Sequence, residues 1–163
     1  MKPELRVFIG KPGAGKTTLI TAAFPNQRIL DILPFHKEFW LPGGNIQEEK
    51  LILAYQKMYQ HLKSIEPCDT ILELGTNYPE FNISALDNLQ KDYQITIYLC
   101  VASEPTCWQR ARQRGLEHSM EAFNVRMARD FPRSHEQLLA GTSLNYTTLD
   151  MEQPLEATVA AIT

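Results

Sequence analysis

Long hydrophobic segments are missing from this sequence. Its unbroken apolar runs span only a few residues, whereas about 20 are needed to cross a bilayer. The N-terminal residues also lack the apolar core of a signal peptide, so we expect neither a membrane span nor export. Cysteine is scarce, since the chain has three, and their spacing is unlike that of metal ligands. We therefore expect reduced thiols in a cytoplasmic protein, with Cys100 in the core because it lies in an apolar run.

Linkers and repeats are absent as well. No Gly/Ser-rich or Pro-rich stretch divides the 163 residues, and no segment repeats. A domain commonly takes roughly 100–200 residues, so one domain over residues 1–163 is expected. Apolar residues make up 44% of the chain and charged residues 21%, which excludes a disordered chain. The net charge of −3 argues against general nucleic-acid binding. We expect a monomer or homodimer.

Short apolar runs alternate with helix-like segments, which is the pattern of a parallel α/β sheet. This pattern predicts a three-layer α/β/α sandwich, in which the segment 32–46, with its prolines and glycines, is a loop. The predicted strands cover residues 6–9, 28–30, 70–74, 94–101 and 145–149. The predicted helices cover residues 16–24, 47–65, 83–90, 104–114 and 120–129, with a short one after 132 and another from 154.

The most specific motif is a glycine-rich turn between the first strand and the first helix. It fits G-x-x-x-x-G-K-[ST] in full, with the residues Gly10, Lys11, Pro12, Gly13, Ala14, Gly15, Lys16 and Thr17. The glycines let the backbone wrap closely around a phosphate, and the amides up to that of Thr18 point at it from the helix start. Lys16 can bridge the terminal phosphates, and the Thr17 hydroxyl can hold Mg²⁺. The turn therefore predicts nucleotide binding.

Two acidic residues stand where apolar strands end. Asp31 follows the second strand and Glu73 lies near the end of the third. Ligands gather at the C-terminal strand edge of open parallel sheets, so both acids are expected near the glycine-rich turn. We predict that Glu73 supports Mg²⁺ through water and that Asp31 orients or deprotonates an acceptor hydroxyl. The exchanged assignment stays open, as does a solvated position for either acid.

Arginine is concentrated in one part of the chain. Six of the eight arginines fall within residues 110–133, a stretch that has no lysine. Arginines that close over a phosphoryl group stabilise its charge, and their planar fork suits phosphate oxygens. The polar break at 115–119 is predicted to be the hinge of a small lid over approximately residues 114–126. The alternative is a pair of solvated helix faces.

Spacing assigns these arginines to faces of two helices. Arg110 and Arg114 are four residues apart and share a face, and Arg126 and Arg129 are three apart and share another. We predict that Arg114 and Arg126 are catalytic and that Arg110 contacts the nucleotide. Two further arginines of the stretch are expected on the surface, Arg112 and Arg133.

These features together resemble the small P-loop kinases of the nucleoside-monophosphate-kinase-like fold, and within them the polynucleotide-kinase, zeta-toxin and gluconate-kinase-like branch. The matching residues are the turn 10–17, Asp31, Glu73 and the segment 98–132 with its arginine helix. The resemblance implies a five-stranded parallel sheet of order 2-3-1-4-5 and ATP with Mg²⁺ as phosphate donor. It also implies lid arginines on the phosphates and an acceptor pocket between residues 31 and 60.

Two functions fit the sequence. The first is an ATP-dependent kinase that moves the γ-phosphate to a hydroxyl or phosphate of a small molecule or nucleotide. The second is a nucleotide-binding switch that acts through a protein partner. We favour the kinase, because the arginine cluster is internal and the sequence has no Asn-Lys-x-Asp motif for guanine.

The sequence does not identify the acceptor, because each set of residues that could contact it has a second explanation. His36 and Lys37 could bind an acceptor or its phosphate, but a loop fixed by buried aromatic residues at 39 and 40 explains the same segment. Asn77 and Tyr78 could reach an acceptor or could only form a turn before Pro79.

Overall fold

The computed structural model describes residues 1–39, 48–115 and 130–163. The predicted helix 120–129 lies outside them, as does most of the predicted lid. Five strands pair in parallel in the order β2-β3-β1-β4-β5, which confirms the predicted sheet. The strands are β1 (Glu4–Gly10), β2 (Arg28–Asp31), β3 (Thr70–Leu74), β4 (Gln94–Val101) and β5 (Asn145–Asp150).

Helices connect these strands close to the predicted positions. One of them, α4, begins four residues earlier than predicted, at Pro79, because proline suits the first turn of a helix, where its missing N–H needs no partner. In the described part of the chain, no helix is long and apolar enough to cross a membrane. The helices are α1 (Lys16–Ala23), α2 (Leu33–His36), α3 (Glu48–Ser64), α4 (Pro79–Leu89), α5 (Glu104–Gln113), α6 (Arg133–Ala140) and α7 (Leu155–Ile162), with a 3-10 turn at Lys37–Phe39.

Residues 33–39 are helical, so the loop predicted over 32–46 is wrong for this part of the segment. The Asp31 carboxylate accepts a hydrogen bond from the Leu33 N–H at 2.8 Å, which holds the chain at the start of α2. Phe35 packs against the main core cluster. A helix of four residues is too short to show a helical periodicity in the sequence. Contacts with the rest of the fold stabilise such a short helix, rather than its own helix propensity.

The sheet has a core on each face, which gives the predicted three layers. Leu5, Val7 and Ile9 of β1 point to one face, where they pack with residues of α3, α4 and α6. Phe8 points to the opposite face and packs with Leu19 of α1 and with residues of α7. Leu5, Val7, Phe8 and Ile9 of the central strand are thus fully buried, on both faces of the sheet, as is usual for parallel sheets.

The strand order locates the functional edge of the sheet. From β1 the chain crosses to β2 and returns through β3, and it then continues on the opposite side of β1 with β4 and β5. Connections on the two sides diverge at the C-terminal end of β1, which opens a crevice there. The glycine-rich turn begins at that point, because Gly10 is the last residue of β1.

Candidate active site

The glycine-rich turn depends on glycine at specific positions. Gly13 and Gly15 have φ values of 79° and 99°, in the left-handed region that side chains disfavour. A Cβ atom on Gly13 would lie 2.2 Å from the backbone carbonyl oxygen of Cys107 in α5. The turn closes through a hydrogen bond from the Ala14 N–H to the Lys11 carbonyl at 3.1 Å. The turn is therefore packed directly against α5.

Lys16 is folded over this turn. Its ammonium donates hydrogen bonds to the carbonyl oxygens of Gly10 and, at 3.5 Å, of Lys11. Burial lowers the pKa of Lys16, an effect that the Glu73 carboxylate opposes and the Arg114 guanidinium reinforces. The lysine is thus held among backbone acceptors at the point where a phosphate would need a cation.

Thr17 and Glu73 meet beside the lysine. The Thr17 hydroxyl donates to Glu73 Oε1 at 2.8 Å, which joins the start of α1 to the end of β3. A cavity of about 170 Å³ is lined there by the turn, Glu73 and Arg114. Hydroxyl and carboxylate oxygens are the ligands that Mg²⁺ prefers. The residues present therefore fit the predicted Mg²⁺ site, although the described residues contain no cluster of three or more histidine, cysteine or acidic side chains.

Asp31 lies directly beside Glu73 at the same edge of the sheet. The two residues are partners in the parallel register of β2 and β3. The Asp31 carboxylate is oriented by the Leu33 N–H, which donates to its Oδ1 at 2.8 Å. The structure therefore brings together the two acids whose roles the sequence left open, with Glu73 on the side of the glycine-rich turn.

A second, larger cavity adjoins the same turn and shares Gly13, Gly15 and Arg114 with the first. Its volume is about 350 Å³, and α5 and the chain after β5 form its walls. Residues that line it include Gly15, Thr18, Arg110, Gln113, Arg114 and Met151. The predicted site residues Thr18, Arg110 and Arg114 thus converge on one cavity adjoining the turn.

Arg110 connects two loops of this cavity. Its guanidinium donates to the Ala14 carbonyl oxygen at 3.0 Å and to the Met151 carbonyl oxygen at 2.9 Å. The predicted nucleotide contact of Arg110 stays a prediction. What the side chain does in this structure is fix the glycine-rich turn to the segment after β5.

Glu152 strengthens the same connection, and the sequence offered no sign of it. Its carboxylate accepts hydrogen bonds from the Ser103 N–H at 2.7 Å and from the Thr106 hydroxyl at 2.6 Å, at the start of α5. These hydrogen bonds, that from Ser103 first, lower the pKa of Glu152. Because Glu152 and its partners lie 46 to 49 positions apart, no local motif marks this contact.

The other arginines are placed as follows. Arg114 is exposed at the C-terminal end of α5 and lines both cavities. Arg112 is also exposed and lies 5.7 Å from the centre of the Trp108 ring, away from the cavities. Arg133 is exposed in α6, so both residues predicted on the surface are there. Arg126 lies outside the described residues.

The segment after Asp31 begins the part of the chain, residues 31 to 60, in which the resemblance places an acceptor pocket. Phe39 is partly buried, with the Lys57 ammonium 5.2 Å from its ring centre, and Lys57 forms an ion pair with Glu38. Phe39 is thus not fully buried, although the fixed loop would require it to be, and Trp40 lies outside the described residues.

Comparison with known proteins gives similarity in structure alone. No protein-family model matches the sequence, and no curated protein does. A gluconokinase from Sinorhizobium meliloti 1021 is similar with a TM-score of 0.64 at 13% identity, over 97% of this chain and 88% of that one. Deoxyadenosine kinase from M. mycoides with bound dATP gives 0.58 at 16% identity, over 98% and 96%. Shikimate kinase from Bacteroides thetaiotaomicron gives 0.58 at 14%, over 98% and 95%.

These likenesses cover nearly the whole of both chains in each case. Together with the strand order and the glycine-rich turn, they show that this chain has the fold of the small P-loop kinases. At such low identity the likeness is one of fold, and the site residues above are those of this chain.

Proposed function

We propose that this chain is an ATP-dependent phosphotransferase that moves the γ-phosphate of ATP to a hydroxyl or phosphate of a small molecule or nucleotide. The hydrogen bond between Thr17 and Glu73 carries this proposal, because it joins the glycine-rich turn to a strand-end carboxylate beside Lys16. The kinase names of the structural neighbours support the same class of reaction. We further propose that residues 1–163 act as one catalytic domain with a lid at about 114–126.

On the donor side, the amides of the glycine-rich turn and the Lys16 ammonium would hold the β- and γ-phosphates. Thr17, directly, and Glu73, through water, would hold Mg²⁺, which neutralises phosphate charge when it is bound. The 350 Å³ cavity would take the nucleoside part of ATP, with Arg110 keeping its two walls together.

On the acceptor side, Asp31 would orient the attacking hydroxyl and accept its proton. Arg114, which lines both cavities, would stand where the transferring phosphoryl group develops negative charge, and Arg126 would join it from the lid. These two arginines would also exclude water, which favours transfer over hydrolysis.

Phosphate transfer can be tested with γ-labelled ATP, Mg²⁺ and a panel of sugars, sugar acids, nucleosides, nucleotides and oligonucleotides. We expect one acceptor class to raise ATP turnover well above slow hydrolysis. Lys16→Ala should abolish ATP binding in calorimetry, whereas the exposed Arg112→Ala should bind ATP like the unaltered protein. A panel without any turnover, combined with a partner interaction that depends on the nucleotide, would favour the switch instead.

The roles of the two acids can be separated by their substitutions. Asp31→Asn should keep ATP affinity nearly unchanged and lower the rate of transfer by about 10²–10⁴-fold, the usual contribution of a general base. Glu73→Gln should instead raise the Mg²⁺ concentration needed for half-maximal ATP binding by about 10–100-fold. If Asp31→Asn gives the Mg²⁺ effect and Glu73→Gln does not, the two assignments must be exchanged.

A further inference from the structure

The larger cavity, of about 350 Å³, is built from three parts of the chain. Residues of the glycine-rich turn and of α5 form two of them. The chain after β5 supplies the third with Met151, Gln153, Leu155 and Thr158. With the phosphates of a nucleotide on the turn, the base would lie away from it, against this third part. Its polar side chains are therefore placed to contact the base.

Gln153 lies in a turn that directly follows β5. Its backbone N–H donates to the Asp150 carbonyl oxygen at 3.4 Å, and its side-chain Nε2 donates to Asp150 Oδ2 at 3.2 Å. The other carboxylate oxygen, Oδ1, accepts from the Glu152 N–H at 3.0 Å. The backbone and the side chain of Gln153 are thus both bonded to the last residue of β5.

This turn is itself attached to the rest of the fold. The Met151 N–H donates to the Val101 carbonyl oxygen at 2.8 Å, and the Met151 carbonyl oxygen accepts from Arg110 at 2.9 Å. The Glu152 carboxylate is bonded to the start of α5. Because these contacts already order the segment, a ligand that meets Gln153 would lose little affinity to further ordering of the chain.

The side-chain amide of Gln153 has one allowed orientation against Asp150. Hydrogen bonds from the Glu152 N–H and from the Gln153 side chain lower the pKa of Asp150, so this carboxylate is ionised at pH 7. An ionised carboxylate only accepts hydrogen bonds, so the amide nitrogen and not the amide oxygen must face it. Gln153 Oε1 is consequently turned away from Asp150, and no hydrogen bond reaches it from the described residues.

The other polar groups around this cavity offer no such fixed acceptor. The carbonyl oxygens of Ala14 and Met151 already accept from Arg110, whose guanidinium is a donor alone. A second glutamine, Gln113 of α5, also lines the cavity. Its amide has no hydrogen bond within the described part of the chain, so it can turn to present either its oxygen or its nitrogen.

The two purines differ in the group that a fixed amide oxygen can bind. Adenine carries an amino group at position 6, which is a donor, whereas guanine carries a carbonyl oxygen there, which is an acceptor. An amide oxygen accepts a hydrogen bond from the amino group. Against the carbonyl oxygen, two acceptors would face each other without a proton between them, which is unfavourable.

We propose that Gln153 selects the base of the phosphate donor, with its Oε1 accepting a hydrogen bond from the 6-amino group of adenine, and that Asp150 is the positioning residue that orients this amide. The inference rests on the proposed function and assigns to it a residue that determines the choice of donor. It concerns binding alone, so it can be tested without knowledge of the acceptor.

Calorimetry with Mg²⁺ and three triphosphates tests the proposal. ATP is compared with inosine triphosphate, which has an oxygen at position 6, and with purine riboside triphosphate, which has no group there. We expect ATP to bind about 10-fold more tightly than either, because only ATP can donate to Oε1. In Gln153→Met, which keeps the length of the side chain but has no amide, both ratios should fall to within about 2-fold of one.

The matched control is Gln113→Met, the same substitution at the other glutamine of the cavity, which should keep the 10-fold preference. A ratio near one in the unaltered protein, or a ratio that Gln153→Met leaves unchanged, would overturn the inference and leave the proposed function standing. Loss of the preference in Gln113→Met alone would do the same. If no triphosphate binds, the proposed function fails, and the inference fails with it.

Asp150→Asn tests the positioning role separately. An asparagine amide can donate as well as accept, so the Gln153 amide would no longer be held in one orientation. We expect the preference for ATP over inosine triphosphate to fall to about 3-fold or less. If Asp150 only supports the turn, the variant would weaken the binding of both nucleotides equally, and an unchanged ratio would contradict its assignment as a positioning residue.

Discussion

Gly13 is the residue at which the glycine-rich turn is most tightly constrained. Its φ of 79° is strained for any side chain, and a Cβ atom would lie 2.2 Å from the Cys107 carbonyl oxygen. Because that oxygen belongs to the backbone of α5, a side-chain rotation cannot relieve the overlap. Glycine at position 13 of the motif is therefore required for packing against α5, in addition to the backbone geometry that a phosphate-binding turn needs.

Gly13→Ala is expected to lower the free energy of unfolding by about 2–4 kcal/mol, from the strained φ and the overlap together. Urea denaturation followed by circular dichroism measures this change. The matched control is Gly75→Ala, where an added Cβ has no neighbour within 4 Å. That variant should be unchanged or more stable by up to about 1 kcal/mol, and equal losses in both variants would contradict the packing argument.

Tyr78 is held in an unfavourable backbone conformation by buried polar groups. Its φ of 50° is the one positive value of a non-glycine residue in the described part of the chain. The Asn82 amide donates to the carbonyl oxygens of Asn77 and Tyr78 at 2.9 and 3.2 Å, and accepts from the Tyr59 hydroxyl at 2.8 Å. Asn82 therefore fixes the loop that leads away from Glu73.

Asn82→Leu is expected to cost about 2–3 kcal/mol, because the buried Tyr59 hydroxyl would lose its acceptor and the Tyr78 carbonyl a donor. Tyr59→Phe, which removes only one hydrogen bond, should cost about 1 kcal/mol. The comparison is made by urea denaturation of both variants. A larger loss for Tyr59→Phe than for Asn82→Leu would mean that Asn82 is not the centre of the network.

Among the secondary-structure elements, α5 is connected to the surroundings of the site at three places along its length. Its first turn is bonded to Glu152, its middle contacts Gly13, and Arg110 near its end binds carbonyl oxygens of two other segments. The glycine-rich turn and the segment after β5 are thus both attached to this helix. Any nucleotide held between these two segments would therefore contact parts of the protein that are attached to one helix.

Arg110→Met is expected to lower the free energy of unfolding by about 2 kcal/mol, because hydrogen bonds from a charged donor to the Ala14 and Met151 carbonyls are lost. Arg112→Met, two positions along the same helix and exposed, should stay within about 0.5 kcal/mol. If Arg110→Met weakens ATP binding and leaves stability unchanged, Arg110 acts on the nucleotide alone and not as a link between loops.

Sequence reasoning succeeded for elements that are marked by a contiguous stretch of residues. The bounds of β3 and β4 agree with the prediction, because uninterrupted apolar runs mark buried strands, and the glycine-rich turn is a contiguous motif. It failed for α2, whose stability comes from Phe35 against the core. It also failed for Glu152, whose partners are distant in the sequence. Contacts between remote segments leave no periodicity in a single chain.

At the scale of the molecule, the helix layer that contains α6 includes a buried histidine. His135 is 1% exposed, with the Phe131 ring centre 5.1 Å away and Ser134 Oγ 3.5 Å from its Nδ1. Burial lowers the pKa of His135 to about 4, although the Glu80 carboxylate opposes the shift. The folded protein therefore keeps this ring neutral at a pH at which the unfolded chain protonates it.

Stability is expected to fall as the pH drops through the window from about 6.5 to 4, because the unfolded state binds the extra proton there. The contribution of His135 is fully present above this window, and its loss amounts to roughly 2–3 kcal/mol. Urea denaturation at pH 7 and pH 4.5 measures it, and His135→Gln should show a smaller difference between the two. An equal acid loss in the variant would assign the effect to other groups.

The position of Lys16 has a consequence for how a ligand would arrive. Its ammonium already has oxygen partners within its own turn, so an incoming triphosphate competes with the carbonyls of Gly10 and Lys11 for the same cation. On the proposed function, association is an exchange of partners rather than a simple docking. The loss of these hydrogen bonds offsets part of the attraction between the Lys16 ammonium and the phosphates. This exchange favours release of the bound nucleotide.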